Sequence, residues 1–193
     1  MHSAKFSPAA FLDRDGVINF DKGYLHDWSE FEFLPGVVDA MRTLQELGYK
    51  LVVITNQSGI ARGMYSEEEY QTLTRHMKAA LLKQGIQLRD VYHCPHYPDG
   101  VVPVLSIKCE CRKPGIGMIR TAARDLDIDI NSSVLIGDKE SDIQAGIAAG
   151  VGRCFIVRCN GVGDRPALRR DCMYFDDLAQ CAEYLLLNNQ EAC

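Results

Sequence analysis

Nothing in this chain is apolar for long enough to span a bilayer, and Met1 to Phe11 carries one lysine and none of the apolar core that a signal peptide needs. The sequence therefore predicts no membrane segment and a cytoplasmic protein. A basic stripe is missing too. The formal net charge is -5, and gripping a phosphate backbone needs clustered positive charge, so nucleic acid is excluded as the expected partner and a small molecule takes its place. There is no internal repeat and no low-complexity tract, which sets aside solenoids and linkers. No exposed apolar stripe stands out, so a monomer is expected. Without a secretory signal, the eight cysteines do not read as a disulfide framework. Three of them, Cys94, Cys109 and Cys111, crowd into one short segment, and that clustering points to metal.

What is present fits one globular domain over residues 1–193. A chain of 193 residues, 47% hydrophobic and 24% charged, can bury a single core without covalent help. Short apolar runs at Ala9 to Leu12, Leu51 to Ile54, Val134 to Ile136 and Phe155 to Val157 read as buried strands. Helical patterns lie between them. Val37, Met41 and Leu44 share a face closed by Gly48; Ser66 and Glu69 make a capping box ahead of Tyr70, Leu73, Met77 and Leu81, closed by Gly85. Met118, Ile119, Ala122 and Leu126 repeat the theme, as do Ile143 with Ile147, and Leu178, Cys181 and Leu185. Strand and helix in alternation predict an α/β fold, a doubly wound parallel sheet with right-handed crossovers. The exception is Tyr92 to Lys113, with prolines at 95, 98 and 103 and little helical period.

Polar clusters follow the strands, where open α/β sheets bind their ligands. Asp13 and Asp15, in Phe11-Leu12-Asp13-Arg14-Asp15-Gly16, leave the first strand together. Two carboxylates crowded there repel unless a cation or a proton separates them, so the pair reads either as a metal-dependent site or as a solvated turn. Thr55-Asn56-Gln57-Ser58-Gly59 offers a hydroxyl and a loop of N–H groups able to cradle a phosphate, or only a helix cap. In Gly137-Asp138-Lys139-Glu140-Ser141-Asp142, Asp138 could complete a magnesium site, while Asp142 is read as a helix N-terminal charge. Arg112 and Lys113 supply a bidentate fork and a point cation for phosphate or sugar, or a solvated surface pair.

Cys94-Pro95-His96 and Cys109-Glu110-Cys111 supply three thiolates and an imidazole. That is a closed four-ligand set of the structural zinc kind, with no open position for chemistry. His93 is the competing imidazole and is expected to pack or face solvent. Cys154, Cys159, Cys172, Cys181 and Cys193 lack such pairing and read as core or surface thiols. Ordering the loop at about 92–113 with Zn²⁺ would fix Arg112 and Lys113 immediately beyond it.

Taken in order, Asp-x-Asp-Gly, a strand-terminal threonine, a lysine and Gly-Asp-x-x-x-Asp resemble the motifs of the haloacid dehalogenase superfamily of phosphotransferases, over roughly residues 9 to 158. The resemblance implies Asp13 as nucleophile and Asp15 as general acid and base. It implies Mg²⁺ held by the Asp13 carboxylate, the Asp15 backbone carbonyl and Asp138, with Thr55 and Lys113 on the transferring phosphoryl. The chain is too short for a large cap domain. The segment Thr55 to Gly63 and the Cys-x-His, Cys-x-Cys-Arg-Lys-Pro loop are similar to a narrower family, the heptose-bisphosphate phosphatases, with the histidinol-phosphate phosphatases as near relatives. This implies hydrolysis of the 7-phosphate of a heptose 1,7-bisphosphate, in the making of nucleotide-activated heptose and lipopolysaccharide core. It also implies substrate or phosphate contacts at Asp21, Lys22, Gly23, Tyr24, Asn56, Gln57, Ser58, Arg112 and Lys139. A histidinol-phosphate phosphatase and a non-catalytic zinc-binding module are the alternatives.

Overall fold

Six strands pair in parallel throughout one sheet: β1 (Ala9–Leu12), β2 (Lys50–Asn56), β3 (Leu88–Cys94), β4 (Val134–Gly137), β5 (Arg153–Val157) and β6 (Cys172–Phe175), in the order β3-β2-β1-β4-β5-β6. The computed structural model describes residues 6–158 and 172–190. Cys159 and Cys193 lie outside them. Five α-helices, α1 (Val37–Glu46), α2 (Glu67–Lys83), α3 (Gly117–Asp125), α4 (Glu140–Ala149) and α5 (Leu178–Gln190), and two 3-10 turns, Trp28–Glu30 and Pro103–Leu105, complete the described elements.

Alternation along the strands divides the core into two layers. Ala10, Leu12, Leu51, Val53, Val134 and Ile136 face one side and pack with Val37, Met41 and Leu44 of α1, Met77 and Leu81 of α2, and Leu178, Cys181 and Leu185 of α5. Ala9, Phe11, Val52, Ile54, Leu135 and Cys154 face the other, against Met118, Ile119 and Ala122 of α3 and Ile143 of α4. A strand buried on both faces cannot show polar alternation, which is why these segments read as continuous apolar runs. Ser66 and Glu69 form the expected capping box at the start of α2.

Two expectations need correction. The segment from Tyr92 begins as strand, because β3 runs to Cys94; as an edge strand it is only partly covered, and Arg89, Asp90 and His93 break the apolar signal. β6, at the opposite edge, escaped detection for the same reason. Ile147 is 37% exposed, not buried with Ile143. Among the described residues, no helix is long and apolar enough to cross a membrane.

The strand order reverses between β1 and β4. Chain leaving β1 winds toward β2 and β3, then returns across the sheet to β4, so a crevice opens at the carboxyl ends of β1 and β4. Asp13 and Asp138 each stand one residue beyond those ends.

Candidate active site

Asp13 is held at the sheet by its own N–H, which donates to the Ile136 carbonyl at 3.0 Å. Its side chain is buried, and its contacts fall on Oδ1: Lys113 Nζ at 3.0 Å and the Arg14 N–H at 2.7 Å. Lys113 is buried as well, and its ammonium also meets Asp142 Oδ1 at 2.6 Å and donates to the Ile54 carbonyl at 2.7 Å. One cation thus ties the ends of β1 and β2 to the first turn of α4. Asp142 does two things: Oδ2 accepts from the Lys139 N–H at 3.0 Å, capping the helix as expected, while Oδ1 holds the buried lysine.

Carboxylate oxygens of Asp13, Asp138 and Asp142 all lie within 4.8 Å of one another. Three carboxylates face the buried Lys113 and, at 3.5 Å from Asp138, the half-exposed Lys139, a net negative charge that a divalent cation would offset. Burial, reinforced by Asp142, Asp138 and Asp15 and opposed by Lys113, pushes the Asp13 carboxyl up to about 7. Burial likewise raises Asp138 to about 6. Asp138 Oδ1 is buried without a hydrogen-bond partner, an orphaned acceptor that a metal would satisfy. The group fits Mg²⁺. The Asp15 side chain is turned elsewhere: it accepts from Arg14 Nε and Nη2, Asn19 Nδ2 and Gln57 Nε2 at 3.0–3.1 Å.

Thr55, at the end of β2, is buried, and its Oγ1 accepts from Gln57 Nε2 at 2.8 Å, which leaves the hydroxyl hydrogen free to donate. Asn56 and Gln57, expected at the substrate, spend their amides inside the protein. Asn56 brackets the Lys113 main chain, donating to its carbonyl at 3.1 Å and accepting from its N–H at 3.0 Å. Gln57 bridges Asp15 and Thr55.

The remaining expected contacts surround the crevice unevenly. Lys139 is half exposed and spans Asp21 Oδ2 at 3.2 Å and Asp138 Oδ2 at 3.5 Å, tying the loop at 21–24 to the end of β4. Asp21 Oδ1 accepts from the Gly23 N–H, and Tyr24 is 43% exposed. Lys22 is engaged with the Glu30 carbonyl and Glu32. Ser58 is half-buried, and its carbonyl accepts from the Arg62 N–H at 3.0 Å. Arg112 donates to the His96 carbonyl at 3.4 Å and lies 5.3 Å from the Tyr97 ring.

Cys94, His96, Cys109 and Cys111 converge, with five of the six separations among their Sγ and Nδ1 atoms at 3.2–3.6 Å and all four ligand atoms within 4.8 Å of one another. Those separations are the edges of a small tetrahedron, the size that bonds of about 2.0–2.3 Å to a central ion require. His93 stands apart, beside Glu67 at 2.9 Å and against the Tyr70 ring. Cys154 and Cys181 are buried thiols, and Cys172 is partly buried.

Three site residues escaped the reading of the sequence in the roles they hold. Arg14 is fully buried and grips Asp15, although an arginine between two aspartates reads as solvent-facing. Asn19 and Tyr65 reach the same cluster from positions without a motif. Asp142 had a signal, its fixed spacing from Asp138.

Comparison with known proteins agrees with this geometry. A family model described as HAD-hydrolase-like matches residues 110–181. The D-glycero-alpha-D-manno-heptose-1,7-bisphosphate 7-phosphatase of Photorhabdus laumondii is 52% identical over 81% of this chain and 86% of its own length. The D-glycero-beta-D-manno-heptose-1,7-bisphosphate 7-phosphatase of Escherichia coli K12 is 50% identical over 80% of this chain and 81% of its own. The crystal structure of D,D-heptose 1,7-bisphosphate phosphatase from B. bronchiseptica, complexed with magnesium and phosphate, superposes with a TM-score of 0.82 and 32% identity, covering 94% of this chain and 99% of that one. With the acidic crevice at the sheet's switch point and 50–52% identity to two of these enzymes over four-fifths of its length, the chain belongs to the heptose-1,7-bisphosphate 7-phosphatase family of the haloacid dehalogenase superfamily.

Proposed function

We propose that this protein is a magnesium-dependent phosphatase that removes the 7-phosphate of D-glycero-D-manno-heptose 1,7-bisphosphate, in the making of nucleotide-activated heptose and lipopolysaccharide core. The observation that carries the reading is the meeting of Asp13, Lys113 and Asp138 in one buried crevice, in a chain half-identical to phosphatases bearing that name. Asp13 attacks phosphorus, the bond from phosphorus to the sugar oxygen breaks, and Asp15 delivers a proton to the departing alkoxide. Water then hydrolyses the aspartyl-phosphate, with Asp15 taking the proton back. Lys113 and Thr55 bind the phosphoryl oxygens. The Asp13 carboxylate, the Asp15 carbonyl and Asp138 would hold Mg²⁺, which when bound would supply charge neutralisation to those oxygens.

Asp21, Lys22, Gly23, Tyr24, Ser58, Arg112 and Lys139 form the proposed entrance and contact the sugar and its second phosphate. Asn56 and Gln57 act by holding Lys113, Thr55 and Asp15 in place. Zn²⁺ in the Cys94, His96, Cys109, Cys111 set serves as a staple, since four protein ligands leave no site for substrate. The enzyme works as a monomer of one domain in the cytoplasm.

The deciding assay compares phosphate release from heptose 1,7-bisphosphate and from histidinol phosphate with magnesium. Relatives of both anomeric names match the chain, so both anomers are supplied. The expected outcome is a kcat/KM at least about a hundredfold higher for a heptose bisphosphate. The reverse preference would make the protein a histidinol-phosphate phosphatase, and no turnover of either would leave a zinc-binding module. Asp13→Asn should abolish turnover with an unchanged circular dichroism spectrum; retained turnover rejects it as nucleophile.

A further inference from the structure

The Gln57 amide bonds both Asp15 and Thr55. Its two N–H bonds go to Asp15 Oδ2 at 3.0 Å and Thr55 Oγ1 at 2.8 Å, which fixes one orientation of the amide plane. A side-chain amide can turn over, and a turned amide would aim its oxygen at the Asp15 carboxylate and offer it no hydrogen. What prevents this lies on the other side. Gln57 Oε1 accepts from the Tyr65 hydroxyl at 2.5 Å and from Arg14 Nη2 at 3.3 Å, two donors that the NH₂ end could not satisfy.

Tyr65 is buried at 6% exposure, just ahead of the Ser66 cap of α2 and just beyond the Thr55 to Gly63 segment. Its ring needs an open space at Gly59, where a Cβ would lie 2.2 Å from the ring edge. Burial raises the phenol far above its ordinary range, so the hydroxyl keeps the hydrogen it donates. The ring also stacks on His26, with centroids 5.2 Å apart and planes 13° from parallel, and His26 Nδ1 lies 2.9 Å from the Tyr24 carbonyl. Tyr65 therefore stands where the loops at 21–26 and 58–65 meet, with its hydroxyl on the amide that serves both proposed reacting side chains.

We infer that Tyr65 is a positioning residue for phosphoryl transfer, acting through Gln57 to hold the acid-base Asp15 and the phosphoryl-binding Thr55 in register, with Gly59 providing the space its ring requires. This rests on the roles proposed above for Asp15 and Thr55. It differs from a packing role in one respect: it depends on the hydroxyl, not on the ring.

Tyr65→Phe keeps the ring and removes the donor. In the magnesium-loaded enzyme it should lower kcat about five- to tenfold, with KM and the melting temperature essentially unchanged, as the loss of one hydrogen bond felt mainly in the transition state. A double-mutant cycle supplies the sharper reading. In a Gln57→Ala background, the same Tyr65→Phe change should have no further effect on kcat, because the path from Tyr65 runs through the amide. Gln57→Glu, whose carboxylate oxygen can still accept from the Tyr65 hydroxyl but offers no hydrogen to Asp15 or Thr55, should reproduce the kcat loss and serves if Tyr65→Phe folds poorly. Unchanged kcat in Tyr65→Phe, or independent multiplication of the two effects in the cycle, overturns the inference. The measurements are made on whichever phosphate ester the wild type hydrolyses, heptose bisphosphate or a simple aryl phosphate. Failure of the substrate assignment is thereby kept separate from failure of the positioning role.

Discussion

Gly16 has a φ of +85°, and a Cβ there would lie 2.4 Å from Asp138 Oδ2. Both facts concern the same crevice: the turn after Asp15 brings bare backbone against the carboxylate arriving from β4. Gly16→Ala should cost roughly 1–3 kcal/mol through the left-handed backbone alone. It should also push Asp138 aside, so that magnesium binding, followed by isothermal titration, weakens at least about tenfold. A variant that loses stability but binds magnesium as before would show that Asp138 is not a ligand. Asp142 allows a cleaner separation, since it both caps α4 and pairs with Lys113. Asparagine can still accept from the Lys139 N–H but brings no charge to the lysine. Asp142→Asn should therefore leave α4 intact and lower kcat by about tenfold or more, whereas a residue that only caps a helix would leave kcat unchanged. The aspartates are legible in the sequence because their spacing is fixed relative to strand ends. The partners that orient them are less so: Gln57 reads in the sequence as a substrate contact and not as a bridge, Arg14 and Tyr65 are typical surface or core residue types, and only the folded chain brings the three into contact.

At the level of elements, the zinc-type loop is pinned at few points apart from its metal set. The Val101 and Val102 N–H groups donate to the Ala61 carbonyl at 2.8 and 3.0 Å, and the Arg62 guanidinium stacks 3.7 Å over the Tyr97 ring. The segment otherwise has a single 3-10 turn, Pro103–Leu105, and no buried helix. Removing the metal with a strong chelator should expose the chain between Cys94 and Cys111 to limited proteolysis at least about tenfold faster, and should lower kcat/KM as Arg112, tied to the His96 carbonyl, loses its anchor while Lys113 keeps Asn56, Asp13 and Asp142. Cleavage at an unchanged rate would argue that the four side chains hold no structural ion. The elements themselves were unequally readable. β1, β2, β4 and β5 announce themselves because burial on both faces demands apolar residues along their central positions. β3 and β6, at the sheet's edges, are half-covered, and a half-covered strand in a parallel sheet carries polar residues with no regular period.

For the molecule as a whole, the crevice stores an electrostatic cost that magnesium would relieve, and the dependence on pH follows from its sign. Burial raises the Asp13 carboxyl to about 7 and that of Asp138 to about 6, from an ordinary value of 3.8. A carboxyl that holds its proton more tightly in the folded state contributes stability at low pH and loses it as pH rises through the folded value. The metal-free protein should therefore be progressively penalised between about pH 4 and pH 7 by these two groups. Magnesium binds the ionised forms and must displace those protons at any pH below about 7, whereas above it the sites are already ionised. The rise in melting temperature on adding a fixed, saturating concentration of magnesium should thus be larger at pH 8 than at pH 6. Because the comparison is between metal-loaded and metal-free protein at each pH, titrations elsewhere in the chain cancel. Equal rises at the two pH values would mean that the ion does not compete with protons on Asp13 and Asp138, and would place it outside this crevice.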